Sequence, residues 1–366
     1  MLIRVSGGGD ALLDPLANAD DAVGRRASTS EDVARLAGVS RPTVSLVLSG
    51  RGDRIRVAAA TQQRVFSAAE ALGYVPNFAA RSLRTRRSRV ITVIAPSLEN
   101  PFFAEVIGAV KDAATARKYS TNVVIARNGR EEASAIAHVL AGSADAVVIA
   151  THFAGNLDAL RQLAKRRIPS VVLQQVGAGF PIPSVAVDLE MGGYVATRHL
   201  IGLGHRRIAH VTPPGAGAGR RDGYLRALRE ADIAPDPALI VETPNTLAGG
   251  SEAASALLAK PATAPTAVFA YNDQLAFGLL HGARRSAIRV PDDLAVVGFD
   301  NTVSAAFSNP ELTTVAHERN RLTVEMLFAL LDGAAVASLR QVVPVALVVR
   351  ESCGTPRTER VPIPIA

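Results

Sequence analysis

The sequence predicts an α/β protein: a short all-helical segment stands in front of two parallel sheets in succession. Three observations predict it. Between Thr29 and Leu72 the apolar positions recur with helical spacing. From Val90 onward, short β-branched runs alternate with amphipathic stretches, as parallel strands and their crossover helices do. Charge divides at the same place. Residues 28–89 hold eleven Arg, no Lys and four acids, whereas residues 90–366 hold 26 basic and 25 acidic residues. The front segment therefore carries as much net charge as the whole chain, +7. A local basic footprint of this kind suits a polyanion such as nucleic acid.

Residues 1–27 are rich in Gly, Asp and Ala without a sustained period and read as a flexible leader. Thr29 and Asp32 have the spacing of a helix N-cap, and Val33, Leu36 and Ala37 follow as its apolar stripe. Gly38 ends that helix in a tight turn. Ser40 caps a second helix over residues 41–49, with Pro42 in the first turn, where a missing N–H costs little. Val44, Val47 and Leu48 form its inner stripe. Arg41, Pro42, Thr43, Ser45 and Leu46 are left for the outer face. A third helix runs from about Ala58 to Leu72, with Val65, Ala68, Ala69 and Leu72 inward. Three short helices joined by a glycine turn describe a helix-turn-helix, whose second helix fits a groove.

The loop between the second and third helices carries Arg51, Arg54 and Arg56, which suit phosphates or simply a solvated loop. Pro76 and Asn77 can open one more helix through Ala80 and Leu83, interrupted by Arg81 and Arg84. Its apolar face is too small to hold it alone, so it is expected to fold against a partner. Strands are then predicted at 90–95, 121–126, 145–150, 169–174, 207–212, 266–271 and 294–299. Helices fall between them, among others at 103–118, 190–203 and 273–287. In such sheets ligands bind beyond the carboxyl ends of the strands.

Several function classes are disfavoured. The glycine run Gly215–Gly219 fails the dinucleotide fingerprint, because Arg220 or Asp222 stands where its third glycine belongs. No P-loop, HExxH or GxSxG motif is present, so an enzyme is not expected, nor a cofactor or a metal. Cys353 is the only cysteine, which rules out an internal disulfide and fits a reducing, cytoplasmic setting. The longest charge-free run, 168–187, contains three prolines and is not read as a membrane span.

Six stretches together resemble the LacI/GalR family of bacterial transcription regulators. They are "TSEDVARLAGVSRPTVSLVLSG", "ALGYVPNFAARSLRT", "NPFFAEV", "VAVDLEMGGYVATRHLIGLGHRRIAHV", "VFAYNDQLAFGLL" and "VPDDLAVVGFDN" with "PELTTV". The resemblance spans residues 29 to about 352. It implies a helix-turn-helix headpiece (28–75), a hinge helix and linker (76–89) and a two-lobed core like periplasmic sugar-binding proteins (90–352), with 353–366 as a tail. It also implies a homodimer on near-palindromic operator DNA, and a repressor whose grip is set by a small effector, a sugar or sugar derivative, held between the lobes.

Carried over residue by residue, the resemblance places Arg41, Pro42 and Leu46 at base-reading positions of the major groove, with Thr29, Thr43 and Ser45 at phosphates. Leu46 departs from the many relatives that carry Arg there; it can touch a thymine methyl but cannot donate a hydrogen bond. Asn77, Ala80 and Leu83 fall at minor-groove positions, with Leu83 as the wedge between base steps. Arg220, Asn272 and Asp300 match polar effector ligands. Phe102 and Phe103 could line the other lobe, with His152 and Gln174 at neighbouring strand ends, while Asp273 reads as a helix cap. The rival reading is a sugar-binding transport receptor without DNA function. The basic front segment argues against it.

Overall fold

A computed structural model of the chain describes residues 28–49, 57–75, 87–151, 156–174, 182–334 and 340–354. The expectations for the leader, for Arg51, Arg54 and Arg56, for Asn77, Ala80 and Leu83, and for His152 lie outside the described residues. The chain divides into two compact units, with the boundary between Arg84 and Thr85.

The first unit is a three-helix cluster: α1 (Ser30–Ala37), α2 (Arg41–Leu48) and α3 (Ala59–Ala71). Thr29 and Asp32 cap α1 reciprocally, side chain to backbone in both directions. Gly38 adopts the left-handed conformation at φ 64°, which returns the chain towards α2. Ser40 caps α2 and Pro42 lies in its first turn, as the spacing predicts. The core is made of small side chains: Val33, Ala34, Ala37, Val44, Val47, Val65, Ala68 and Ala69. One expectation fails. Leu36 is 57% exposed, and Ala34 takes its place inside. Ala34, Ala37 and Val33 share one face of a two-turn helix, which leaves Leu36 on its flank beside Ser28, Arg35 and Leu72.

The second unit holds two six-stranded sheets, one per lobe. The first has the order β2-β1-β3-β4-β5-β11, built from β1 (Val90–Ala95), β2 (Ser120–Ile125), β3 (Ala146–Ile149), β4 (Ser170–Val172), β5 (Ser184–Val187) and β11 (Arg340–Val343). All its pairings are parallel. The second has the order β7-β6-β8-β9-β10-β12, from β6 (Ile208–Thr212), β7 (Ile240–Glu242), β8 (Ala267–Ala270), β9 (Ala295–Phe299), β10 (Thr313–Ala316) and β12 (Ala346–Val348). Only β10–β12 is antiparallel. Helices cover the sheets: α4 (Pro101–Ala116), α5 (Gly129–His138), α6 (Leu157–Lys165) and α11 (Arg319–Leu331) in the first lobe, α7 (Leu189–Gly202), α8 (Gly219–Glu230), α9 (Leu247–Leu258) and α10 (Asp273–Arg285) in the second. Central strands are buried on both faces, which is why they read as continuous apolar runs.

The seven predicted strands are all present within one or two residues. The pattern missed β5, β7, β10, β11 and β12. These are three- or four-residue strands at or next to sheet edges, and β10 begins with two threonines. The chain crosses between lobes three times, at 187–189, 316–319 and 343–346. Consequently α11 and β11, late in sequence, complete the first lobe. Cys353, expected to open the tail, is instead buried in the second lobe, with its sulfur 3.2 Å from His199 Nε2.

Candidate nucleic-acid interface and ligand cleft

In the first unit α2 presents two side-chain rows on its outer face. Arg41 and Ser45 stand one helical turn apart, as do Pro42 and Leu46. Arg41 and Pro42 are exposed; Thr43, Ser45 and Leu46 are half-buried. The Arg41 Nε donates to Ser30 Oγ at 3.1 Å, which holds the guanidinium stem against the start of α1. Thr43 Oγ1 lies 2.9 Å from Ser40 Oγ. Thr29 differs from expectation in emphasis. Its hydroxyl donates to Asp32 Oδ2 at 2.7 Å, so capping α1 is its structural task. A free phosphate-binding role for that hydroxyl has to compete with this bond.

In the second unit the strand ends of the second lobe gather a charged cluster. Arg220 opens α8 after β6, Asp300 follows β9, and His317 follows β10. The Arg220 guanidinium lies between two rings, 4.1 Å from the Tyr271 centroid and 4.0 Å from that of Phe299. Its Nη2 is 3.7 Å from Asp300 Oδ1, and His317 Nε2 lies 3.3 Å from the same oxygen. Asp300 and Asn301 both have positive φ, 107° and 50°, a costly backbone for side-chain-bearing residues. It is held by the bond from Asp300 N to Val315 O and by Arg350 Nη2 donating to Asn301 Oδ1 at 2.8 Å.

Glycines set the position of Arg220. A Cβ on Gly193 of α7 would strike the backbone carbonyl of Arg220, and one on Gly223 of α8 would strike the carbonyl of Glu190. The two helices thus touch backbone to backbone. That contact brings the first turn of α8 to the sheet end.

The first lobe closes the cleft from the other side. Phe102, at the start of α4, belongs to that lobe's core, and Phe103 packs edge-on against it at 5.1 Å. Phe102 also faces His317 at 6.0 Å and carries the Arg319 guanidinium at 4.3 Å. Arg319 Nη1 donates to Leu173 O at 3.2 Å. Glu105 Oε1 accepts the backbone N–H of Val303 at 2.8 Å, a direct bond between lobes. Burial pushes the Glu105 carboxyl up, and the nearby Asp300 charge adds to this. Gln174 is exposed next to Leu173.

The cap of α10 falls one residue earlier than expected. Asn272, expected as a ligand, is the N-cap of α10: its Oδ1 accepts from Leu275 N at 3.0 Å and its Nδ2 donates to Asn245 Oδ1 at 3.0 Å. Asp273, expected as the cap, is instead a buried strut. Its carboxylate accepts from Thr302 N at 2.7 Å, Thr302 Oγ1 at 3.0 Å and Thr314 Oγ1 at 2.5 Å. Burial, reinforced by Asp300, pushes its carboxyl up to about 7. An N-cap residue must leave its own backbone extended, as Asn272 does at φ −153°, and sequence spacing cannot say which of two adjacent polar residues takes that conformation. His317 and Arg319 were not anticipated. The signal that finds Asp300, a polar residue just past a strand, would have found His317 once β10 was recognised.

Buried nitrogens in the cleft lack partners among the described residues: Arg220 Nε, His317 Nδ1 and Arg319 Nε. Buried donors without acceptors are uncommon in folded proteins, and a cluster of them at strand ends is suited to a polar ligand.

Comparison with known proteins follows the same division. The family described as "Bacterial regulatory proteins, lacI family" matches residues 29–77, and a periplasmic binding protein-like domain matches residues 197–353. The transcriptional regulator DegA of Bacillus subtilis is 33% identical over 338 residues, covering 89% of this chain and 98% of that protein. A Lac repressor dimer solved with operator and the anti-inducer ONPF superposes with a TM-score of 0.74 at 28% identity, over 90% of this chain and 99% of that one. A regulator, CelR, solved with cellobiose is 31% identical with a TM-score of 0.63, over 89% of this chain and 99% of its own.

Proposed function

Since this chain belongs to the lacI family of bacterial regulatory proteins, we propose that it is an effector-controlled repressor reading operator DNA through α2. Two copies dock on half-sites of a near-palindrome about one helical turn apart. Arg41 reads guanine, Leu46 and Pro42 make apolar contacts with base edges, and Thr43 and Ser45 fix phosphates. Asn77, Ala80 and Leu83 enter the minor groove, Leu83 as the wedge, and fold as a helix only when both copies are docked. In this reading residues 1–27 are a leader, 28–75 the headpiece, 76–89 the hinge and linker, 90–353 the core with Cys353 included, and the rest a tail. The protein acts in the cytoplasm, where its DNA is, and no catalytic step is assigned to it. Among the described residues no helix is long and apolar enough to cross a membrane.

The observation that carries this reading is the union, in one chain, of an outward-facing α2 with Arg41 at its start and a cleft whose buried donors await a ligand. Arg220 and Asp300 suit the hydroxyls of a sugar or sugar derivative, with Phe102 and Phe103 as the apolar wall. A relative solved with cellobiose supports that class. The effector shifts affinity only by binding one lobe arrangement better than another. The test is a fluorescence anisotropy titration of operator fragments from the protein's own regulatory regions. Arg41→Ala should lose about 1–3 kcal/mol of binding and relax the preference at one base pair of each half-site. Unchanged affinity and unchanged preference would remove Arg41 from the interface; no binding to any palindrome would remove the function.

A further inference from the structure

The cleft holds more positive charge than its carboxylate balances. Asp300 is already shared by Arg220 and His317. A second guanidinium, Arg319, reaches the same place from the first residue of α11. It lies within electrostatic range of Arg220, Asp300 and Tyr271. Among the described residues Arg319 forms no ion pair, and its bonding is one donation to Leu173 O and the stacking on Phe102. Its Nε is buried and without an acceptor, as is the Nε of Arg220. Arg220 itself is only 7% exposed. Two other acids lie nearby, Asp273 bonded to Thr302 and Thr314 and Glu105 bonded to Val303; burial raises both carboxyls, which favours their neutral forms, and neither forms an ion pair with Arg319 among the described residues.

A guanidinium can only donate, and a buried one without a counter-charge is costly. A hydroxyl could accept from these Nε atoms, but it would leave the charge uncompensated. A carboxylate or phosphoryl group would answer both needs, since its planar or tripod oxygens match the guanidinium fork. We propose that the effector is an anionic polyol, a sugar acid or a sugar phosphate, and that Arg319 selects it by pairing with its oxyanion group. This rests on the effector-control reading above. Arg220 and Asp300 then take the hydroxyl-bearing end, and His317 Nδ1 meets a neighbouring hydroxyl. Burial lowers the Arg319 guanidinium to about 10, so it stays protonated at neutral pH. Because Arg319 is anchored to first-lobe Leu173 and Phe102 while facing second-lobe Asp300, an anion bound there links the two lobes.

The experiment is calorimetric titration of the full-length protein with matched pairs: glucose against gluconate and glucose 6-phosphate, galactose against galacturonate, ribose against ribose 5-phosphate. Operator affinity is followed in parallel. At least one anion should bind about ten-fold or more tighter than its neutral parent, and the carboxylate and phosphate arms separate the two sources of charge. Arg319→Gln should erase that preference, and Arg319→Lys should keep part of it. Removing the uncompensated charge should leave the melting temperature of ligand-free R319Q equal to or above that of the parent, which also reports that it folds. Neutral parents binding as well as their anions, or R319Q retaining the preference, overturns the proposal and leaves effector control standing. A panel in which no member binds or alters operator affinity overturns both.

Discussion

His210 lies in the middle of β6, stacked between Tyr224 at 5.4 Å and Phe269 at 5.0 Å. Its Nδ1 is 3.0 Å from the carbonyl of Phe269, and its Nε2 has no partner among the described residues. Burial holds this imidazole down at about 4, well below its ordinary 6.5. The folded state therefore favours the neutral ring. Its contribution is intact above about pH 6.5 and is lost as pH falls towards 4, by about 3 kcal/mol in all. His210→Phe keeps the stack and removes the proton site. Its melting temperature should fall less than the parent's between pH 6.5 and 4.5. Asp273, raised to about 7, acts in the opposite sense, losing stability as pH rises from 3.8 through 7. The difference between variant and parent is thus the quantity to measure, and parallel profiles would show that His210 does not titrate with folding.

At the scale of elements, the crossing of α7 and α8 decides where the cleft's arginine sits. Each helix supplies a glycine, Gly193 and Gly223, to the point where the backbones meet. Gly223→Ala would place a methyl against the Glu190 carbonyl and the Tyr194 amide, both of which are backbone and cannot rotate away. The helices must part, at a cost of about 1–3 kcal/mol, and Arg220 moves with α8. Thermal denaturation should show a lower melting temperature, and ligand binding should weaken in parallel. A variant with parental stability and affinity would mean that this crossing is compliant. The same element logic explains α2. Its small inner side chains, Val44 and Val47, let a two-turn helix sit close to α1 and α3 while Arg41 and Pro42 on its outer face remain exposed.

For the whole molecule, the separation of charge has a measurable consequence. With the basic excess confined to residues 28–89, operator binding should release counterions there and scarcely at the core. For about 6–10 phosphate contacts, affinity should drop on the order of 10³–10⁵-fold between 50 and 200 mM salt. A shallow salt slope would argue against the electrostatic account. This charge split, the helix-turn-helix and seven of the strands were legible in the sequence, because each is a local property. Caps, turns and apolar periods act within a few residues, and Thr29, Gly38, Ser40 and Pro42 do in the structure what their spacing says. The site was legible only in part. Arg220 and Asp300 were singled out from the sequence, but that Arg220 and His317 share the Asp300 carboxylate, and that Arg319 crosses to Leu173 at a sequence distance of 146, depended on which strand ends the fold brings together. Which of Asn272 and Asp273 caps α10, and the return of α11 and β11 to the first lobe, were likewise settled by packing. Sequence alone determined which local elements form, since their hydrogen bonds and capping groups lie within the same window. Tertiary structure alone decided which buried charges meet, since their pairing depends on contacts between residues far apart in the chain.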